Sequence, residues 1–224
     1  MTQLSGPSLS GPRAAPASGT TKSLVILLHG YGADGNDLFG LAGPLGQHLP
    51  DTAFRSPNAP ERCKVNPMGY QWFPIPWLDG STEAEMEAGF ARAAEVLDGY
   101  ITEAMAEEGV GPAETALVGF SQGTMMSLHV APRRPESLAG IVGFSGRLAD
   151  GEALKAEAVS RPPVLLVHGD QDEMIPVAAL DEARNGLAAA GFQVRWHVSQ
   201  GIGHGIAPDG LGLALGFLKD HLPG

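Results

Sequence analysis

LVGFSQGTMM, residues 117–126, decides how the rest of the chain is read. Inside it lies Gly119-Phe120-Ser121-Gln122-Gly123, a G-x-S-x-G pentapeptide. A β-type run over 115–120 precedes the serine and a helix-competent segment follows it. A serine on a sharp strand-to-helix turn takes a strained backbone conformation. Its neighbours two residues to either side must be small, or the strand and helix collide. The product is an exposed Oγ at a helix N-terminus, with the next backbone N–H facing the same space. With 31 glycines in 224 residues a chance match is easy, so the surroundings decide its weight.

Upstream, LVILL at 24–28 is a continuous apolar run of strand length, as in a parallel sheet buried on both faces. It runs straight into His29-Gly30-Tyr31-Gly32-Ala33-Asp34-Gly35, a loop able to turn backbone N–H groups toward an anion. A weak helix is predicted over 37–48, interrupted by glycines and Pro44, and a short strand over 52–56. Met86, Phe90, Ala93, Leu97, Ile101 and Ala104 recur at helical steps, predicting an amphipathic helix over 82–108 that Gly109, Gly111 and Pro112 stop. Downstream of Ser121 come a helix over 122–130, with Met125 and Met126 read as core fillers, and strands at 138–144 and 164–167. A helix over 177–190, a strand over 193–198 and a final helix over 211–222 complete the chain. Strand and helix alternating in this way predict a mostly parallel central sheet with helices on both faces, an α/β fold. No linker divides residues 22–224, which are read as one domain. Residues 1–21, with Leu-Ser-Gly-Pro at 4–7 and again at 9–12, are read as a loose arm or a short edge hairpin.

Residues 57–81 differ from the rest: five prolines, several aromatics and little periodicity. A loop of this length inside a compact domain is usually functional or disordered, and Tyr70, Trp72, Phe73 and Trp77 argue for order. It is read as an excursion walling an apolar pocket. Met68, Trp72, Phe73, Trp77 and the later Ile175 are the candidate substrate-binding residues. The same exposed aromatics would suit a homodimer interface.

The totals narrow the function. A net charge of −11 argues against binding nucleic acid or an anionic membrane surface. No apolar run approaches the ~18 residues of a membrane span, so no stable membrane insertion is expected. The single cysteine, Cys63, allows no internal disulfide. Together with the lack of a basic-then-apolar N-terminal stretch, this fits a cytoplasmic protein. The histidines are too scattered to form a metal site.

In an open α/β sheet the ligand sits beyond the carboxyl ends of the strands. His29–Ala33, Ser121, Asp170 with Asp172, and His204 all fall at such ends. A serine hydroxyl needs a nearby base to take its proton, and imidazole has a suitable pKa. The imidazole needs a carboxylate to fix its tautomer and stabilise its cation. Of seven histidines, His29 and His168 follow apolar strands directly and are read as holding loops, while His48, His129, His197 and His221 lie within predicted elements. His204, in the loop GIGHG at 201–205, is the candidate base. For the carboxylate, Asp170 and Asp172 compete: one caps the turn and the other faces the imidazole.

LLHGYGADGNDL at 27–38, SPNAP at 56–60, QWFPI at 71–75, GFSQGTMMSLH at 119–129, GFSG at 143–146, LLVHGDQDEMIP at 165–176 and GIGHGI at 201–206 together resemble the phospholipase/carboxylesterase family of small α/β-hydrolases. That family includes acyl-protein thioesterases and lysophospholipases. The resemblance runs in order from about residue 24 to the end. It implies an α/β-hydrolase fold, with Ser121 as nucleophile, Asp172 as the acid and His204 as the base. It also implies an oxyanion hole built from the backbone N–H groups of Tyr31 and Gln122. Gly205 departs from the pattern, since many relatives carry an acidic residue there. The expected activity is a serine carboxylesterase acting on short to medium acyl or aryl esters through an acyl-enzyme, without a cofactor. The alternative is an acyl-protein thioesterase or lysophospholipase using the same triad.

Overall fold

The computed structural model describes residues 9–223; residues 1–8, the first part of the expected arm, lie outside them. The described part of the arm is a strap along a sheet edge. Its strand β1 (Arg13–Ala14) pairs antiparallel with residues 54–55. Ser56 and Asn58 extend the contact by donating backbone N–H groups to Pro12 and Ser10 carbonyls at 3.0 and 2.7 Å.

Strand β2 (Ser23–Leu28) is buried at every position, as its unbroken apolar run requires. The single helix expected over 37–48 is instead two short ones, α1 (Gly35–Phe39) and α2 (Ala42–Gly46). Gly40 marks the break, where helix propensity is poor. Asp34 caps α1, its carboxylate accepting the Asn36 N–H at 2.8 Å. Strand β3 (Thr52–Arg55) leads into the proline-rich excursion. That excursion is ordered, with a two-residue ladder between β4 (Glu61–Arg62) and β5 (Tyr70–Gln71) and one helical turn, α3 (Pro76–Asp79).

Helix α4 (Glu83–Glu108) starts at a capping box in which Thr82 and Glu85 satisfy each other's backbone N–H groups, and ends at left-handed Gly109. Strand β6 (Thr115–Phe120) passes through Ser121 into α5 (Gln122–Val130), and β7 (Gly140–Phe144) follows. Helix α6 (Gly151–Glu157) has no counterpart in the sequence reading: it buries only Leu154, so it offers no periodic stripe. Strand β8 (Val164–Gly169), α7 (Ala178–Ala189), β9 (Val194–Ser199) and α8 (Pro208–His221) close the chain.

The main sheet has the order β1-β3-β2-β6-β7-β8-β9, parallel throughout except for β1. Alternate strand residues face opposite sides. Leu24, Ile26, Leu28, Leu117, Ile141 and Leu166 pack against α4, α5 and α7 through Leu97, Ile101, Met126 and Leu187. Val25, Leu27, Val118, Val142 and Val167 pack against α1, α2 and α8 through Leu38, Leu45 and Phe217. The expected α/β-hydrolase architecture is therefore present, and its parallel strands all end at the same edge of the sheet.

Candidate active site

Ser121 sits between β6 and α5 with φ 53° and ψ −115°, in a region that side chains other than glycine rarely occupy. The turn is fixed by sterics. A Cβ on Gly123 would lie 1.8 Å from the Leu28 carbonyl oxygen, and one on Gly119 2.4 Å from the Gly123 carbonyl carbon. Ser121 N–H donates to the Phe144 carbonyl at 2.9 Å, tying the turn to the neighbouring strand. The hydroxyl makes no hydrogen bond among the described residues; it opens onto a cavity of about 570 Å³.

His204 lines the same cavity. Its Nδ1–H donates to Asp172 Oδ2 at 2.7 Å, which leaves Nε2 as the free ring nitrogen. The two aspartates of the β8 loop divide as the sequence reading left open. Asp170 Oδ1 accepts the N–H groups of Gly201 (2.6 Å) and Ile202 (3.2 Å), pinning the loop that carries His204. Asp172 is buried, and its Oδ1 accepts from Met174 and Ile175 N–H, both at 2.9 Å. Burial alone would raise its pKa, but those N–H donors and the His204 contact outweigh it and hold the carboxyl below its ordinary value. His168 holds the same loop, its Nε2–H donating to the Ile175 carbonyl at 2.8 Å. His29 has the structural place expected of it: its Nδ1–H donates to Gly30 O, and its Nε2 accepts Ala59 N–H at 3.0 Å.

Tyr31 and Gln122 both face the cavity. Gln122 is the first residue of α5, so its N–H has no acceptor within the helix. The Tyr31 N–H has none among the described residues. The Gln122 side chain has a second task the sequence did not reveal. Its Oε1 accepts Trp72 N–H at 3.0 Å and its Nε2 donates to Phe73 O at 2.8 Å, bolting the pocket wall to the serine turn.

Of the five expected pocket residues, Phe73, Trp77 and Ile175 line the cavity. Trp72 does not: it is 0% exposed beneath the wall, its ring N–H donating to the His29 carbonyl at 2.9 Å. Met68 is 81% exposed on a separate surface depression beside Gly32 and Asn66. It lies in the turn between β4 and β5. Met86 and Met125 are added to the wall. Met126 is core as expected, but Met125, one turn on from Ser121, faces the cavity.

Asp79 is a further residue without a sequence signal. Its carboxylate accepts Tyr31 O–H at 3.0 Å and the N–H groups of Ile75 and Ser81 at 2.9 Å each, joining the wall to the Tyr31 loop. Burial opposes its ionisation, but hydrogen bonds from Ser81, Ile75 and Tyr31 bring its pKa down to about 2. Burial, with Cys63 and Asp79 alongside, pushes the Tyr31 phenol well above its ordinary value, so it stays a donor. Among the described residues no three His, Cys, Asp or Glu side chains converge as metal ligands.

Comparison with known proteins identifies the family. Residues 11–222 match the family model described as phospholipase/carboxylesterase. A solved structure titled esterase PE8 is 48% identical, covering 96% of this chain and 99% of its own, with a TM-score of 0.90. The esterase YpfH of Escherichia coli (strain K12) is 29% identical over 90% of this chain and 84% of its own. The acyl-protein thioesterase 1 of Gibberella zeae is 28% identical over 95% and 96%. A match that extends over nearly the whole chain, on a sheet of the expected kind, leaves one conclusion: the protein belongs to the phospholipase/carboxylesterase family and is a hydrolase.

Proposed function

We propose that the protein is a serine carboxylesterase that cleaves short to medium acyl or aryl esters through an acyl-enzyme. One observation carries this reading. The imidazole bonded to buried Asp172 at 2.7 Å shares a cavity with a serine held in a strained turn at a helix N-terminus. Ser121 Oγ attacks the ester carbonyl while His204 Nε2 takes its proton. Asp172 fixes the tautomer and stabilises the imidazolium. The N–H groups of Tyr31 and Gln122 receive the oxyanion, an arrangement worth about 3–4 kcal/mol per donor. The same proton then passes to the departing alcohol oxygen as the C–O bond breaks. Water, activated by His204, releases the acid. Apolar Phe73, Ile75, Trp77 and Met86 suit the acyl chain.

The test is Ser121→Ala, assayed on p-nitrophenyl butyrate. The reading expects kcat to fall by about 10⁴- to 10⁶-fold with the folded state retained. Substantial remaining turnover would remove Ser121 as the nucleophile.

A second reading keeps the same residues and changes the bond: a thioester or lysophospholipid substrate. It is favoured by the relatives named acyl-protein thioesterase 1. Matched oxygen esters, thioesters and lysophospholipids, compared by kcat/KM, separate the two. No helix among the described residues is long and apolar enough to cross a membrane. We place the protein in the cytoplasm, a reading supported by its one buried, free thiol, Cys63.

A further inference from the structure

A second cavity, of about 330 Å³, also borders His204. It is walled by Leu38, Leu41, Phe120 and Ile206 and adjoins the first at Asp37, Phe120 and His204, which line both. It touches neither Ser121 nor the Tyr31 and Gln122 N–H groups. We propose that this cavity receives the alcohol half of the ester and selects for bulky, uncharged or cationic alcohols. The inference rests on the triad reading above.

The chemistry of acylation places the two halves. The carbonyl carbon must reach Ser121 and its oxygen the two N–H groups, so the acyl chain belongs to the cavity those groups face. The alcohol oxygen must meet the imidazole to receive the proton that His204 took from Ser121, so its carbon substituent leaves past the imidazole. The second cavity borders the imidazole and not the serine, so it is the space open to that substituent.

Two further features fit this assignment. Gly205 borders the cavity, yet its backbone needs no glycine: its φ is not positive, and a Cβ there would meet nothing within 4 Å. The missing side chain therefore keeps room open beside the base. Asp37 is exposed at the junction and has no ion-pair partner among the described residues. A carboxylate there attracts a cationic alcohol and repels an anionic one, such as a glycerophosphate.

The experiment holds the acyl group at butyryl and varies the alcohol: methyl, benzyl, 3,3-dimethylbutyl and choline. All four form the same butyryl-enzyme, so an alcohol subsite shows in kcat/KM and leaves deacylation alone. Gly205→Leu, whose new side chain enters open space, is expected to lower the benzyl-to-methyl ratio of kcat/KM about tenfold or more. Leu41→Ala enlarges the cavity and should move that ratio upward, keeping the test decisive if Gly205→Leu folds poorly. Asp37→Asn should lower the choline to 3,3-dimethylbutyl ratio by about two- to fivefold, the range for an exposed charge pair. The readout is the ratio between alcohols, because a change beside His204 can slow every ester alike. Ratios that stay constant in Gly205→Leu and Leu41→Ala would overturn the proposal. So would variants that change acyl-length preference instead, which would make this an acyl cavity. Failure here is separable from failure of the triad: the Ser121→Ala result does not depend on alcohol ratios.

Discussion

Behind the imidazole, two aspartates only two positions apart do unlike work. Asp170 holds the His204 loop by its backbone, while Asp172 reaches the ring itself. Sequence supplied the pair and the reason for one of each, but the direction of each side chain depends on a loop conformation that spacing does not encode. Ser121 and His204 could be singled out as candidates because both stand in glycine-rich turns at strand ends. Asp79 and the Gln122 side chain were not. Their partners lie as much as 50 residues away, and such long-range hydrogen bonds leave no periodic mark. Asp79 carries a testable consequence. Its pKa is about 2 when folded against 3.8 ordinarily, so ionisation favours the folded state. That contribution is complete above pH about 4 and is lost as the pH falls through about 2. Asp79→Asn should therefore cost about 1 kcal/mol at neutral pH, after allowance for solvent screening, and progressively less in acid. Urea unfolding of both proteins across that pH range checks this; a gap that widens in acid would contradict it.

Among the elements, the regular ones were readable and the short ones were not. Strands β2, β6 and β8 announce themselves by apolar runs, and α4 by its stripe and its glycine stop. Helices α1, α2 and α6 are five, five and seven residues long, too short for a helical period to show. The 57–81 excursion was correctly expected to be ordered, yet the placing of Trp72 and Phe73 rests on long-range bonds to Gln122 and His29, which are tertiary features. The β6–α5 junction has the least tolerance. Gly123→Ala pushes a methyl into the Leu28 backbone, where no side chain can yield. It should destabilise by about 3 kcal/mol or more, at or beyond the upper end for overpacking. Thermal unfolding measures this, and an unchanged Tm would mean that β2 and α5 separate more easily than their contact suggests.

Taken whole, the molecule gathers its candidate site at one rim of a parallel sheet and carries a large net negative charge. Net charge is −11, and ten acidic residues against one basic crowd the stretch from Asp79 to Glu114, mostly on α4. An anionic ester, such as a succinate half-ester, must approach through that field. Its KM should fall as ionic strength rises from about 0.01 M to about 0.15 M, where screening shortens to roughly 8 Å. The KM of a neutral ester of the same size should stay level. An equal response of the two would assign the salt effect to the fold instead of to approach.

The strap formed by β1 has a consequence for the colloidal behaviour of the chain. A sheet border left bare is a template on which another molecule's backbone can zip. At the far border β9 presents the charge of Arg195, and Arg195 and His197 are tethered to Asp220 and Asp209 of α8. At the near border β3 offers Thr52, Ala53, Phe54 and Arg55, and what shields it is the stretch ending at Ala14. A protein shortened to begin after Ala14 should precipitate at concentrations the full chain tolerates, with light scattering rising before any loss of helix signal.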